Sequence, residues 1–545
     1  MKESNDILVL FESLNNHEVF TPPRLARQML DLFPDDVWVN PEHKFLDPCV
    51  KSGVFLREIF YKLFDGLKGK GKFTADDGIT YNLNDNHQRI NHIFKNMLYG
   101  IATSELTGYV SRRTLYGVME ADSDKQISSV ESFERSKNFT DWTDQQRLDF
   151  IGRNQFNDYY DHTIFKTKEY EGFEKEGNIF YPSQEVNEIA INENNFIIEE
   201  TYFPFIDSRT KHKKIIAIKD NQMKFDVIVG NPPYQQNDGG HGASASPIYN
   251  LFIDQAKLLS PRYILMIIPS RWFAGGKGLD DFRSKMLSDN KLRYLYDYVN
   301  AKECFPRISI GGGVCYFLWD NTYNGKCEVV NIHNGEKQFS VRDLNEFPIF
   351  VRYNRAIDII KKVLKLKESV VSEIVSSRNP FGQSSSERGK ETKDPDSVSI
   401  YSSKGVGFLP PSKIKNGLDL VNKYKVSISK VTSEHAGEPD KSGKFKILSN
   451  IRVLSPNEIC TDSYLVIGNY DKETMAENLA NYLKTKFARF LLLQAVSSIN
   501  LSKDKFCFIP LQDFLLEWTD EKLFKKYSLT KEEVSFIDSL IKPMD

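Results

Sequence analysis

The sequence lacks most of the features that would place it quickly. Its six cysteines (Cys49, Cys304, Cys315, Cys327, Cys460 and Cys507) form no Cys-x-x-Cys pair, so neither a zinc knuckle nor a disulfide framework is indicated and a reducing cytoplasm is expected. The longest apolar run, Tyr263 to Pro269, is far short of a bilayer span, and the apolar run Ile7 to Phe11 behind a polar N-terminus is too short for a signal peptide. The net charge is only −2, which excludes a global field that would attract nucleic acid, so any grip on DNA must come from local basic patches. No internal repeat is visible, and His241 has no second ligand nearby, so no metal site is expected. What remains is an ordinary globular composition, 40% hydrophobic and 27% charged, over 545 residues, enough for two or three domains.

One stretch stands out against that background. From Lys224 to Tyr234 the chain reads Lys-Phe-Asp-Val-Ile-Val-Gly-Asn-Pro-Pro-Tyr: a short β-branched run, predicted as a buried strand, that stops abruptly at Asn231. Pro232 and Pro233 fix φ and remove two donors, so the Asn231 amide and the neighbouring carbonyls are expected to face a cleft rather than continue a ladder. Tyr234 adds a flat ring beside them. A rigid acceptor next to an aromatic platform suits a planar ring with an exocyclic amine, although a strand terminator with a core tyrosine would have the same sequence.

Two earlier segments have the same functional texture. Val19-Phe20-Thr21-Pro22-Pro23 precedes Leu25, Met29, Leu32 and Phe33, whose spacing predicts a helix with Thr21 as its cap and prolines in the first turn. Lys44 to Asp47 reads as a short strand that ends in Asp47-Pro48. A tight bend containing Gly53 follows, then a helical stripe through Leu56, Phe60, Leu63, Phe64 and Leu67. This strand-bend-helix is the place where α/β sheets bind nucleotides and nucleosides. Further strands are predicted at Leu98 to Ala102, within Asn195 to Ile206, and at Tyr263 to Ile268, Tyr294 to Val299, Gly313 to Leu318 and Glu328 to Ile332, a β-α-β alternation running to about residue 335. Residues 121 to about 195 lack a sustained period and are expected to be an insertion or a set of loops. Gln235 to Ser246 is expected to be a polar loop able to close over a bound base. Beyond 335 the texture changes: lysines outnumber acids between Lys404 and Lys446 with Tyr401, Phe408 and Tyr424 interleaved. Met475, Leu479, Leu483 and Phe487 predict one long helix ending near Gln494, and Thr530 to Glu533 is a capping box opening a last helix.

The order Phe-Thr-Pro-Pro, then Phe-Leu-Asp-Pro-x4-Gly-x-Phe-Leu, then Phe-Asp-Val-Ile-Val-Gly-Asn-Pro-Pro-Tyr, with a long C-terminal region outside that pattern, resembles the gamma-class adenine amino-methyltransferases of bacterial restriction-modification systems. The resemblance covers residues 17 to about 335 by motif. It implies an α/β protein: a doubly wound Rossmann-like methyltransferase domain over residues 1–335, carrying the polar insertion at about 121–195, followed by a mixed α+β target-recognition domain and helical tail over 336–545. It also implies S-adenosylmethionine as cofactor, double-stranded DNA as partner, and room for a separately encoded restriction endonuclease. Residue by residue, Phe20, Thr21 and Pro22 would line the methionine end of the cofactor, and Asp47, Pro48 and Gly53 would form its main pocket. Asn231 and the Pro232 carbonyl would accept hydrogen bonds from the target amine in a turn kept rigid by Pro233, and Tyr234 would stack on the flipped base. The chain departs from the pattern twice. Lys51 stands where the family usually has glycine, and Ala102 stands where an acid usually holds the ribose, a role for which Glu105 is the available substitute. Three other readings share the motif: an RNA or protein amino-methyltransferase, a nuclease-methylase fusion, which the sixteen residues before the first motif would not accommodate, and a DNA-binding homologue that has lost catalysis.

Overall fold

The computed structural model describes residues 19–76, 78–101, 111, 114–115, 173–176, 179–182, 201–206, 213–218, 224–235, 247–274, 278–306, 308, 310–434, 439–440, 442–496 and 500–544. Its first fourteen strands are β1 (Phe45–Asp47), β2 (Lys72–Thr74), β3 (Thr80–Asn82), β4 (Leu98–Ile101), β5 (Phe173–Glu176), β6 (Ile179–Pro182), β7 (Thr201–Ile206), β8 (Lys213–Ile218), β9 (Val227–Gly230), β10 (Tyr263–Pro269), β11 (Leu292–Tyr298), β12 (Val314–Asp320), β13 (Cys327–His333) and β14 (Glu336–Arg342). Ten of them form one sheet in the order β14-β13-β11-β12-β10-β9-β1-β4-β6-β5, and β2–β3 and β7–β8 are separate antiparallel pairs. From β6 through β4, β1 and β9 to β10 the strands are parallel, and β12 enters antiparallel between β10 and β11.

The apolar runs are continuous because both faces of this sheet are covered. Along β10, Tyr263, Leu265 and Ile267 enter one core together with the Pro23–Leu30 and Val54–Gly66 helices. The alternate residues Ile264, Met266 and Ile268 enter a second core with the Tyr249–Leu258 and Asp280–Leu287 helices on the opposite face. β12 divides the same way, with Val314, Tyr316 and Leu318 on one face and Cys315, Phe317 and Trp319 on the other. Each such side chain taken from water contributes roughly 2 kcal/mol, so a polar substitution at any of these positions strikes the centre of the domain.

The direction of winding reverses beside β1. The chain steps from β1 to β4 on one side, and from β9 to β10 on the other, while β1 and β9 lie next to each other in register, Phe45 opposite Val227 and Leu46 opposite Ile228. A reversal of this kind leaves a crevice at the carboxyl ends of the two central strands, which here end in Asp47 and Gly230. Within the stretch expected to be an insertion or a set of loops, residues 173–176 and 179–182 form β5 and β6, with β6 parallel to β4 and β5 at the edge of the sheet.

The C-terminal part has its own cores. β15 (Val398–Ser402), β16 (Gly405–Leu409) and β19 (Glu458–Cys460) form one small sheet, and β17 (Tyr424–Ser429), β18 (Ile451–Leu454) and β20 (Tyr464–Tyr470) another. Around the second sheet pack the Ala356–Lys365, Glu473–Lys484, Lys486–Ala495, Asp520–Lys526 and Lys531–Leu540 helices. The single long helix predicted to end near Gln494 is two helices, because Thr485 takes an extended ψ of 149° and its hydroxyl caps the second by accepting from the Ala488 amide. The capping box at Thr530 and Glu533 is present as read from the sequence. A buried ion pair ties the two parts: Arg352 donates to both carboxylate oxygens of Asp297 on β11, at 2.5 and 2.7 Å, and to the Tyr298 carbonyl at 3.0 Å. Ser270 and Asn331 complete the shell of Asp297. All six cysteines are free, and among the described residues no helix is long and apolar enough to cross a membrane.

Candidate active site

At the end of β1, Asp47 is almost wholly buried and its Oδ1 accepts the Cys49 amide at 2.9 Å, which starts the bend. Burial pushes its carboxyl up to about 7, against the opposing pull of the Cys49 hydrogen bond and the Lys51 charge. The end of β9 comes close enough that a Cβ on Gly230 would lie 3.2 Å from Asp47 Oδ1 and 3.5 Å from Pro48, so Gly230 is what allows Asp47, Pro48 and the Asn231 turn to share one crevice.

The bend is left-handed at two places. Gly53, with φ 76°, precedes the Val54–Gly66 helix, and a Cβ there would sit 2.9 Å from the Ser111 carbonyl oxygen, so both the conformation and the space require glycine. Lys51 takes φ 40° as well. The bend is thus left-handed at Lys51 as well as at Gly53, and a lysine holds a conformation that costs an L-residue about 1–2 kcal/mol. Lys51 is buried, and its Nζ donates to the Val19 carbonyl at 2.9 Å.

Thr21 does not have the role that its position before the helix suggested. The N-cap of the Pro23–Leu30 helix is Pro22, with no side-chain cap, while Thr21 is buried and its Oγ1 accepts from Asn231 Nδ2 at 3.1 Å. The same Nδ2 donates to the Val19 carbonyl at 2.9 Å. A main-chain carbonyl can only accept, so this contact identifies the nitrogen of the Asn231 amide and turns the oxygen the other way. Oδ1 is then a buried acceptor without a hydrogen-bond partner. Other buried amide oxygens, among them those of Asn250, Asn331 and Asn354, also lack a partner, so what distinguishes Asn231 is its place at the end of β9 beside Asp47, where a donor on a ligand would meet it.

Phe20 and Pro232 are buried beside these groups and Pro233 is half-buried. The hydroxyl of Tyr234 is also buried without a hydrogen-bond partner; burial raises its pKa well above the usual range, Cys304 and Cys315 add to the rise, and the adjacent Asn231 side chain opposes it. The Tyr234 carbonyl accepts the Ile248 amide at 3.4 Å and Gln235 bridges to Pro247. Residues 236–246, expected to form a polar loop, and Glu105, expected to hold the ribose, lie outside the described residues. Among those described, no cluster of His, Cys, Asp and Glu could hold a metal ion. One participant carried no side-chain signal in the sequence, the Val19 carbonyl.

The Eco57I restriction-modification methylase family matches residues 96–305. An uncharacterized adenine-specific methylase of Mycoplasma pneumoniae is 34% identical over 336 residues, 59% of this chain and 72% of the relative. Among solved structures, the type IIL restriction-modification enzyme MmeI in complex with DNA aligns at 11% identity and a TM-score of 0.43, over 89% of this chain and 64% of MmeI. A DrdV–DNA complex aligns at 10% identity and a TM-score of 0.39, over 94% of this chain and 56% of DrdV. The chain thus spans less than two thirds of the length of these two solved proteins. By its identity to the Mycoplasma protein across most of that protein's length, the chain belongs to the adenine-specific methylase family.

Proposed function

We propose that the chain transfers a methyl group from S-adenosylmethionine to the exocyclic amine of an adenine extruded from double-stranded DNA. The observation that carries this reading is the Asn231 amide at the end of β9, whose Nδ2 is fixed on Val19 and Thr21 and whose Oδ1 is a buried acceptor on the other side of the amide. An amine with two protons is the donor such an acceptor lacks.

The crevice also suits the cofactor. The left-handed bend at Lys51 and Gly53 and the free N–H groups at the start of the Val54–Gly66 helix give close access to main chain, and Asp47 supplies a buried carboxyl beside them. When bound, S-adenosylmethionine supplies an electrophilic methyl group on a sulfonium. Phe20, Thr21 and Pro22 are proposed at its methionine end and Asp47, Pro48 and Gly53 in its main pocket, with Glu105 as the ribose partner.

The exocyclic nitrogen of adenine is a weak nucleophile because its lone pair is delocalised into the ring. Asn231 Oδ1 and the Pro232 carbonyl, each accepting one amine proton, favour a pyramidal nitrogen whose lone pair is free for in-line attack. These bonds strengthen as the nitrogen pyramidalises, and so lower the barrier to the chemical step. No covalent enzyme intermediate is required, and the excess proton leaves to solvent after transfer. The target amine is inaccessible within a duplex, so the base must be extruded, and stacking on Tyr234 offsets part of that cost.

Residues 336–545 are proposed to choose the DNA sequence. Their separate cores and the cleft between their two small sheets, where the Arg452 guanidinium lies 4.1 Å over the Tyr401 ring, support that role. The deciding experiment is expression in a host without DNA methylation, followed by modification-sensitive sequencing of the genome. One recurrent motif methylated at adenine is the expected result. Unmodified DNA with methylated RNA or protein glutamine would replace DNA as the substrate, and no methylated product, with cofactor binding intact, would mean that catalysis has been lost.

A further inference from the structure

The Val19 carbonyl has two side-chain donors, each at 2.9 Å: Nδ2 of Asn231 and Nζ of Lys51. They come from different strand ends, Asn231 after β9 and Lys51 in the bend after β1. Lys51 is 5% exposed and sits at φ 40°, a conformation that a lysine adopts only when its surroundings hold it there. Burying an ammonium is costly unless it is hydrogen-bonded. A strained backbone and a buried cation are therefore both spent on directing one side chain from the cofactor-side bend towards the 19–21 segment.

We infer that Lys51 is a positioning residue for methyl transfer, acting on Asn231 through the Val19 carbonyl. A carbonyl oxygen has two lone pairs, so it can accept from the lysine and from the asparagine together. The bond from the ammonium is charge-assisted and stronger than a neutral one, so it fixes the position of that oxygen. The fixed oxygen holds Nδ2, and with Nδ2 held, Oδ1 stays on the side of the amide away from Val19 and Thr21, where the amine is proposed to bind. The same anchor keeps Thr21, two residues on, in reach of Nδ2. The bend that is proposed to hold the cofactor and the amide that is proposed to hold the amine are thereby set against one another by one contact. A lysine serving only as a counter-charge for Asp47 would not need to reach Val19.

The inference rests on the reading of Asn231 as the holder of the amine, and the test separates the two. Full-length Lys51→Gly, Lys51→Arg, Asn231→Ala and the double variant Lys51→Gly/Asn231→Ala would be compared. Single-turnover methylation would be measured with S-adenosylmethionine and genomic DNA from a methylation-free host, and cofactor affinity by calorimetry. Glycine accepts φ 40° without strain, so Lys51→Gly keeps the bend while removing the donor to Val19 together with the charge beside Asp47. Lys51→Met, which removes the donor and the charge but keeps a long side chain, is measured beside it. Lys51→Gly is expected to slow the methylation step about ten- to a hundredfold, the scale of a small misplacement of a reacting group, with cofactor affinity close to wild type. Lys51→Arg, which retains a charged donor, should recover part of the rate. In the Asn231→Ala background Lys51→Gly should slow nothing further, because two residues on one path are not additive. A wild-type rate for Lys51→Gly, a full additional loss in the double variant, or a loss confined to cofactor affinity would each overturn the role of Lys51 while leaving Asn231 in place. A wild-type rate for Asn231→Ala would instead overturn the reading of the site itself, and the inference with it.

Discussion

Asn231 donates from Nδ2 to the Thr21 hydroxyl at 3.1 Å across 210 residues of sequence, and this bond joins the first motif of the chain to the last. Its consequence is that the two residues should act on the same step. Asn231→Ala should lose at least about a hundredfold in single-turnover methylation, the scale of one oriented polar group, with cofactor affinity nearly intact. Thr21→Val, which keeps shape and removes the acceptor, should lose less, about tenfold, because Val19 still holds the amide, and Thr21→Ser should restore the rate. If Asn231→Ala fails only in binding cofactor, the division between amine and cofactor residues is wrong.

Tyr234 tests a different contact. Its hydroxyl is buried beside the Asn231 side chain and makes no hydrogen bond of good geometry, so Tyr234→Phe removes at most a weak contact and should be tolerated. Tyr234→Ala removes the ring, whose stacking on an extruded base is worth about 1–3 kcal/mol, and should fail to hold the base. With 2-aminopurine at the target position, the wild-type and Phe proteins should quench its fluorescence against the ring, and the Ala protein should leave it bright. Methylation by Tyr234→Ala at the wild-type rate would make the tyrosine structural.

Asp47 predicts a pH dependence with an unusual sign. Its carboxyl rises from the ordinary 3.8 to about 7 in the folded protein, so the folded state binds the proton more tightly than the unfolded chain. Stability is then undiminished by this group at acid pH, falls as pH rises through the window from about 4 to 7, and is level above it. Asp47→Asn removes the burden and should stabilise the protein at pH 8 by up to roughly 4 kcal/mol, less whatever Lys51 loses, with the gain vanishing towards pH 4. The same variant should bind S-adenosylmethionine more weakly. Urea midpoints at the two pH values decide it: equal differences from wild type at both would mean that the carboxyl is not raised.

Much of the α/β part was legible because burial on both faces writes itself as unbroken apolar runs. β9, β10 and β12 lie where Val227, Tyr263 and Val314 begin such runs. What was hidden depends on partners distant in sequence or on main chain. Thr21 looks like a helix cap because Thr-Pro-Pro commonly is one, and only the approach of Asn231 shows where its hydroxyl is used. The break at Thr485 has neither glycine nor proline to announce it; the freed amides of Lys486 and Phe487 are taken by the carboxylate of Asp520, more than thirty residues further on. Lys51 could be read as a departure from glycine, but its φ and its reach to Val19 could not.

The buried pair Asp297–Arg352 should be a strong determinant of stability. Side chains of both are largely shielded from solvent, and Ser270 and Asn331 occupy the remaining acceptor positions on Asp297. Arg352→Met leaves a buried carboxylate without its counter-charge, and should cost about 3–5 kcal/mol. Asp297→Asn/Arg352→Met should cost less than the sum of the single changes, because neither variant residue then strands a charge. Additive losses in denaturant melts would mean that each residue acts through separate contacts.

That same pair limits how the C-terminal part can be tested. Deleting residues from about 340 onward would remove Arg352 and strand the buried Asp297 in the central sheet, so loss of sequence-specific methylation in such a truncation would not distinguish a lost reading surface from a damaged catalytic domain. A point change avoids this. Arg452 is exposed, stacks at 4.1 Å on Tyr401, and lies in the cleft with Ser402, Asn450 and Tyr464; Tyr401 is in turn fixed by its hydroxyl bond to Glu458 at 3.0 Å. A guanidinium held in one plane is suited to two parallel bonds with a guanine edge, a contact worth about 1–3 kcal/mol of discrimination. Arg452→Ala should therefore leave folding and cofactor affinity unchanged and relax the methylated motif at one base position. If the arginine contacts phosphate instead, methylation should weaken evenly across sites and the salt dependence of DNA binding should fall by about one unit of slope, with the motif unaltered. An unchanged motif together with unchanged salt dependence would remove this cleft from the DNA interface.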